Sequence, residues 1–501
     1  MDGISLDAAI NSPFSLLQAF LVNSGATATA TDQDKANWIE AYVDQIPQSV
    51  FFGLYAGRGS KPHPPVLMFK LALYQIVKQH LSPSKWAREV DSDTVLQKLI
   101  GHITPSRTAL YNFRDRIINI TDGLLDQLIT RAVGAGLIEP SHAALDGTSV
   151  RSRGSRHRVV NQITLKRRRI ALAEAIATDT RGDVQSTLPK WMGKTVIGRL
   201  LQQGKYDKAD AILTSRIQEN STKRKDLRRD VKKIYISLSD AESALSRDKE
   251  WVFCPMYNVQ LLTDTKSLLI LGFDVSNQVT DVGTIGPMID RVKRIPGVVL
   301  KRIYADSAYT SQLDLEACRE RGVEILAPVH ENSFTKDNQA KKTDQQIPRD
   351  KFTYNADSHS FTCPAGHSMP YSDREVLKRV NGEVVRERFR QSLENCQACP
   401  LAAQCLRGGK QRSISRMIGQ EIVEEQKAKM TDDVARECRA IRAQTIEYTN
   451  ANIKQRIGLR RFGVETIRRA RSYLALTLFV LNLMTIRRLL IQDASQTLAT
   501  T

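Results

Sequence analysis

Apolar residues recur at helical spacing in the first quarter of the chain and gather into short dense runs after it. From His63-Pro64-Pro65, where proline suits a first helical turn, the spacing predicts an amphipathic helix to about His80. Residues 84–90, 94–100 and 107–120 read as further helices, with Thr104-Pro105-Ser106 as a start signal. Ahead of them, residues 1–50 hold a short apolar helix and a low-complexity connector over 24–31. From Ala143 the pattern changes. Residues 143–150, 257–262 and 267–275 predict strands, and 263–266 the turn between the last two. Helix 281–292, strand 300–305, helix 311–321 and strand 324–329 follow. That order is mixed α/β with its parallel strands buried.

Two insertions interrupt it. Residues 160–250 are charged and read as mostly helical; Leu227, Val231, Ile234, Leu238, Ala241 and Leu245 alternate four- and three-residue steps, the pattern of a coiled-coil seam. The expected partner is residues 170–176 of the same chain, with a second subunit as the other candidate. Residues 331–430 open with a polar stretch over 332–350 and hold Cys363, Cys396, Cys399 and Cys405, with His367 four residues after the first. Four thiolates could hold a structural zinc ion in tetrahedral geometry; reduced cysteines in a small hairpin are the plainer reading. Cys254, Cys318 and Cys438 lie in apolar or helical surroundings and are expected in the core.

At 501 residues the chain exceeds what one core usually supports, so two or three domains are expected, filled by the 41% of residues that are hydrophobic. The net charge of +19 is clustered. Residues 151–171 hold eight Arg or Lys and no acid, and 456–471 hold six Arg against one Glu, which points to phosphate backbones. Lys85, Arg88, Arg107 and Arg114 at the tips of short helices fit a helix-turn-helix reader of duplex DNA, although ordinary helical packing gives the same pattern. No secretory signal opens the chain, so the protein is expected inside the cell. The longest apolar run, 473–486, ends at Arg487-Arg488 and falls short of the roughly 20 residues of a membrane span, so a buried helix and no membrane are expected.

Three widely separated acids are the candidates for chemistry. Asp146 ends the run Ala143-Ala144-Leu145, Asp306 ends Arg302-Ile303-Tyr304-Ala305, and Glu447 lies in a basic helical stretch with Lys454 two turns further along the same face. Singly, each has a plain reading: Asp146 as a turn former, Asp306 as a helix cap, Glu447 with Lys454 as a solvated helix face. Together, strand-end carboxylates facing a helix carboxylate suit a hard divalent ion such as Mg²⁺. Asp274 ends another strand but ranks as a hairpin or supporting residue, and Glu437 is the alternative third acid. His157 and His330 have no partner pattern of a metal ligand.

Leu145-Asp146-Gly147-Thr148, Tyr257-Asn258-Val259-Gln260, Ala305-Asp306-Ser307-Ala308-Tyr309, and Glu447 with Lys454 followed by Gly458-Leu459-Arg460-Arg461-Phe462-Gly463 resemble, in this order, the motifs of DDE transposases of bacterial insertion sequences. Gly57-Arg58-Gly59, His63-Pro64 and Asn112-Phe113-Arg114 resemble the helical N-terminal domain of one branch. The likeness covers residues 50–490. It implies an RNase H-like mixed-sheet core (139–159, 251–330 and 431–492), an N-terminal arm (1–50), a helical DNA-binding domain (51–138), a coiled-coil-like helical insertion (160–250) and a cysteine-containing insertion (331–430). Relatives often carry an arginine four residues before the catalytic glutamate; here that position is Ala443, with Arg442 and Arg439 nearby.

The activity so implied is strand cleavage and transfer at terminal inverted repeats, with two Mg²⁺ ions (Mn²⁺ able to substitute) about 3.5–4 Å apart stabilising attacking and leaving oxygens. Asp146 would bridge them, with Asp306 on one and Glu447 on the other. Water would first free a 3′-hydroxyl at the element's end, and that hydroxyl would then attack target DNA. Lys454, Arg460 and Arg461, the last expected on the same helix face as Lys454, would meet DNA phosphates, as would Arg151, Arg153, Arg156, Arg88, Arg107 and Arg114. Synapsis of two ends implies a homodimer or larger assembly, at the bacterial nucleoid in the cytoplasm. The competing class is a repressor or structural DNA-binding factor, inactive or domesticated, with the same fold.

Overall fold

In the computed structural model, the described residues are 31–55, 61–182, 187–223, 225–248, 251–329, 347–379, 382–406 and 409–500. The expected apolar helix and connector before Thr31, Gly57-Arg58-Gly59, His330 and residues 332–346 of the polar stretch lie outside them.

The N-terminal helices start where their caps dictate. Thr31 and Asp34 form a reciprocal capping box at the head of Asp32–Val43. Helix Pro65–Val77 begins on its proline, and Pro83–Glu89 follows. Asp93 caps Thr94–Leu99 by accepting from Leu96 N at 2.9 Å, and Ser106 caps Arg107–Gly134 by accepting from Ala109 N at 3.1 Å. The last helix runs past the expected end at Ile120, because Leu124, Leu125, Leu128 and Ile129 beyond Gly123 are all buried.

Strand β1 (His142–Arg151) opens the α/β part. Next come β2 (Val159–Asn161), helices Gln162–Arg181 and Val196–Thr222, and β3 (Tyr235–Ser237), which pairs with β2. Then follow β4 (Ala244–Arg247), β5 (Phe253–Asp264), β6 (Ile270–Ser276), β7 (Arg302–Tyr304) and β8 (Glu324–Leu326). The six-stranded sheet runs β4-β5-β1-β7-β8, with β6 also on β5. β1 is antiparallel to β5 and parallel to β7, and β7 is parallel to β8. In β5 every residue from Cys254 to Asp264 is buried, as a strand covered on both faces must be.

The coiled-coil seam does not form. The two insertion helices pack on each other through Leu165, Leu172, Tyr206, Ala209 and Leu213, but the segment holding the proposed heptads becomes short 3₁₀ turns and the strands β3 and β4. Leu227 and Val231 are exposed, while Ile236, which the heptad ignored, is fully buried. Asp230 and the Ser237–Asp240 turn supply local acceptors that compete with a helix, and β-branched Ile234 and Ile236 favour extension.

The second insertion is a five-stranded antiparallel sheet, β9 (Thr353–Asn355), β10 (Ser360–Thr362), β11 (Ser368–Arg379), β12 (Gly382–Arg390) and β13 (Ser413–Met417), over a small core of Phe352, Phe361, Met369, Phe389 and Ile414. Its cysteines sit beside that core on and around helices Leu393–Gln397 and Ala402–Leu406.

The long C-terminal helix, Ile467–Thr500, joins the layers. By length and composition its Ile467–Gln492 part could cross a membrane, but 61% of its most apolar window is buried inside the protein. Phe479 packs against Tyr42 and Phe69 of the N-terminal helices, and fully buried Asn482 donates to Ile270 O (2.8 Å) and accepts from Ile270 N (2.9 Å) at the start of β6. One hydrophobic core therefore runs from the N-terminal helices through the sheet.

Candidate active site

Strand register brings the first two acids together. Ala144 pairs with Tyr304 across the parallel β1–β7 ladder, so the residues two further on, Asp146 and Asp306, fall side by side. Asp306 follows the end of β7, whereas Asp146, expected at a strand end, lies in the middle of β1, which stays paired with β5 as far as Arg151. Asp306 Oδ1 caps the turn Ser307–Tyr309 by accepting from Ala308 N at 2.8 Å. The capping reading of Asp306 thus holds for one oxygen, and the other faces the cluster.

Helix Asp432–Arg442 approaches from the far side, held by Cys438, whose thiol donates to Leu326 O at 3.1 Å. It then widens into a π-helical turn, Ala443–Glu447, continues as Tyr448–Ala451, and widens again over Asn452–Arg456. A π turn closes over five residues rather than four, so it aligns Arg442 with Glu447. The arginine expected four residues before Glu447 is therefore supplied from five before it.

Arg442 Nη2 lies 3.8 Å from Asp146 Oδ1, 3.9 Å from Asp306 Oδ2 and 3.8 Å from Glu447 Oε1. Three acids from distant parts of the chain thus surround one guanidinium nitrogen. Asp146 is the most enclosed of them, with a side chain 20% exposed against 54% for Glu447. Burial, then the neighbouring Asp306, pushes its carboxyl up to about 6, against the pull of Arg442. Asn450 Nδ2 donates to Asp146 Oδ2 at 2.9 Å, while its own Oδ1 is buried without a hydrogen-bond partner. The donor set is hard carboxylate oxygen converging on positive charge, which suits Mg²⁺. Among the described residues, no three His, Cys, Asp or Glu side chains stand close enough to hold a metal ion without moving. Glu437 is exposed and outside the group, and Asp274 is ion-paired to Arg471 at 2.5 Å.

Sequence reasoning passed over Asp281, which lies against the backbone beside Asp146. Its Oδ1 accepts from Asn258 Nδ2 at 2.7 Å and Gln260 Nε2 at 2.5 Å. Asp281 had read only as the start of a helix, which in fact begins at Ile285. Asn450 left no signal beyond its position three residues after Glu447.

The basic candidates divide. Arg153, Arg156, Arg88 and Arg107 are exposed. Arg151 is ion-paired with Asp248, and Arg114, 8% exposed, bonds Asp115 at 2.8 Å and covers the Tyr111 ring. Arg461 is not on the helix face of Lys454: the helix ends at Arg456, Gly458 turns the chain at φ +81°, and residues 460–462 pair with the end of β1. Its guanidinium donates to the carbonyls of Ser152, Arg153 and Gly154. Exposed Arg460 donates to Lys454 O at 3.3 Å. A cavity of about 330 Å³ between the N-terminal helices and this turn brings together Lys85, Tyr111, Arg114 and Arg461. Cys363, His367, Cys396, Cys399 and Cys405 border one small void, and Cys254, Cys318 and Cys438 are buried as expected.

Two family models match the chain, a transposase DDE domain over residues 362–487 and a transposase domain (DUF772) over residues 28–116. Glu447 and Arg442 fall inside the first match; Asp146 and Asp306 lie between the two. No curated protein and no solved structure matches. Toward each end, then, the chain is similar to a transposase domain, and the C-terminal match is to the DDE type, whose enzymes cleave and transfer DNA strands.

Proposed function

We propose that the chain is a transposase and that Asp146, Asp306 and Glu447 form the metal-dependent phosphoryl-transfer site with which it cuts terminal inverted repeats and joins them to target DNA. The observation that carries the reading is the approach of all three acids to within 3.9 Å of one nitrogen of Arg442. The strand order, three antiparallel strands followed by two parallel ones with one acid within β1 and another just after β7, supports an RNase H-like core. Bound Mg²⁺, or Mn²⁺ in its place, would supply Lewis acidity to the attacking and leaving oxygens. The chain's own part is orientation. Asp146 and Asp306 are fixed by strand register, Glu447 is brought in by the π turn, and Asn450 holds one oxygen of Asp146 in place.

Exposed Arg153, Arg156, Arg88, Arg107 and Arg460, with Lys454, form the phosphate-contacting set. Arg151, Arg114 and Arg461 serve it by shaping the surface through the contacts described above. Duplex DNA is the partner, synapsis of two ends calls for a homodimer or larger assembly, and the place of action is the bacterial nucleoid. A structural zinc ion among Cys363, Cys396, Cys399 and Cys405 is proposed for the second insertion, supported by the void that the four thiols share. Metal analysis tests it: about one equivalent per chain is expected, and a metal-free, fully folded protein would contradict it. An inactive DNA-binding factor would have no use for a complete acidic trio around an arginine.

The test is cleavage of a labelled terminal repeat, taken from the DNA flanking the gene, by wild type and by Asp146→Asn, Asp306→Asn and Glu447→Gln. Binding by all four proteins and cutting by wild type alone is expected. Cutting by all four would show that these acids do no chemistry.

A further inference from the structure

The two strand-borne acids are linked by a polar chain that the reading above leaves unused. Tyr309, three residues after Asp306 and fully buried, donates its hydroxyl proton to Gln260 Oε1. Gln260, 1% exposed, turns its amide toward Asp281 Oδ1 (2.5 Å) and Asn258 Oδ1 (3.2 Å). Asn258 donates to the same Asp281 oxygen at 2.7 Å. Asp281 in turn lies directly against Gly147: a Cβ added there would collide with Asp281 Oδ1 and come within 2.7 Å of Gln260 Nε2. This explains the glycine after Asp146, since any side chain would push the carboxylate away. It also explains the amides of the Tyr257–Gln260 motif, because a carboxylate only accepts, so both amide groups must turn their N–H toward it and Gln260 must turn its oxygen to Tyr309.

We propose that Asp281 is a positioning residue of the transposase site: by orienting Asn258, Gln260 and Tyr309 it fixes the backbone at Asp146–Gly147 relative to the turn that carries Asp306. The inference rests on the metal reading of the acid trio. Its energetic logic is that of groups behind metal ligands, whose removal typically lowers metal affinity or activity about 10–100-fold while leaving the ligands themselves in place.

Mn²⁺ binding to the full-length protein, measured by calorimetry, is the first readout, and cleavage of a labelled terminal repeat the second. Asp281→Asn is expected to weaken Mn²⁺ binding about 10-fold and slow cleavage about 100-fold, with DNA binding unchanged. Tyr309→Phe removes only the far hydroxyl, keeps the buried ring, and is expected to shift both readouts in the same direction by less. Mn²⁺ affinity and cleavage both within twofold of wild type in Asp281→Asn would overturn the proposal. A lowered melting temperature with unchanged Mn²⁺ affinity would do the same, as would unfolding of both variants, since either outcome assigns the network to the fold. Asp146→Asn separates the two levels. Mn²⁺ binding lost in Asp146→Asn but kept in Asp281→Asn fails the positioning role alone; Mn²⁺ binding kept in both fails the metal reading itself.

Discussion

Asp146→Asn should stabilise the metal-free protein while abolishing its activity. The Asp146 carboxyl is raised from 3.8 to about 6, by burial first and then by Asp306, with Asp281 and Glu447 adding and Arg442 opposing. Because the folded-state value lies above the unfolded one, the native protein holds a proton that the unfolded chain has released. The stability contributed by this group is complete below pH 3.8 and is lost as pH rises through 6. At about 1.36 kcal/mol for each pH unit between the two values, the loss is roughly 3 kcal/mol by pH 7.5. Asparagine cannot ionise and can still accept from Asn450 Nδ2, but it gives up its attraction to Arg442, so the net gain is expected at about 1–3 kcal/mol. Thermal or urea unfolding in EDTA between pH 4 and 8 measures it. The variant should exceed wild type at pH 7.5, and the gap should close toward pH 4. Saturating Mg²⁺ should narrow or reverse the order, since a ligand bound only by the native state stabilises it. A variant less stable than wild type in EDTA at pH 7.5, or a gap independent of pH, would refute the assigned cause.

Gly147→Ala should cost about 1–3 kcal/mol, the usual penalty of overpacking, and should lower cleavage as well, because the methyl group displaces Asp281 and Gln260; unfolding and cleavage assays on the same preparation check both. Arg442→Ala should destabilise the metal-free protein by about 2 kcal/mol at pH 7.5, less than the roughly 3–5 of a fully buried pair because Glu447 is half exposed, and Mg²⁺ should restore part of the loss in a melting experiment. Asn482→Leu leaves both backbone groups of Ile270 unpaired in the core and should cost about 2–4 kcal/mol in urea unfolding, with the helix itself retained by circular dichroism.

The sequence carried what local chemistry determines. Caps and prolines placed the N-terminal helices, and the apolar runs placed β1, β5, β6, β7 and β8. Asp146 and Asp306 were legible as a pair because like-placed carboxylates on parallel neighbours must meet, although β1 continues past Asp146 to Arg151, since its pairing with β5 does not stop where the apolar run does. Spacing alone hid the rest. A heptad over 227–245 looked helical because its apolar positions happen to fit, whereas the serine and aspartate acceptors within it favour turns and strands. Arg442 looked one residue out of register because spacing arguments assume 3.6 residues per turn, and a π turn breaks that assumption. Arg461 looked helical for want of weight on Gly458, whose positive φ ends the run. Asp281 was invisible because its partners, Gly147, Asn258 and Gln260, are set by tertiary packing across the sheet.

The central claim is that Asp146, Asp306 and Glu447 together hold divalent metal. The direct measurement is a crystal structure of the protein grown with Mn²⁺, read by anomalous scattering at the manganese edge. The account predicts manganese about 2.1–2.2 Å from Asp146 and from at least one of Asp306 and Glu447, with the Arg442 guanidinium withdrawn from the position it occupies among the three. Manganese bound elsewhere at saturating concentration, with the acids still gathered on Arg442, would contradict it.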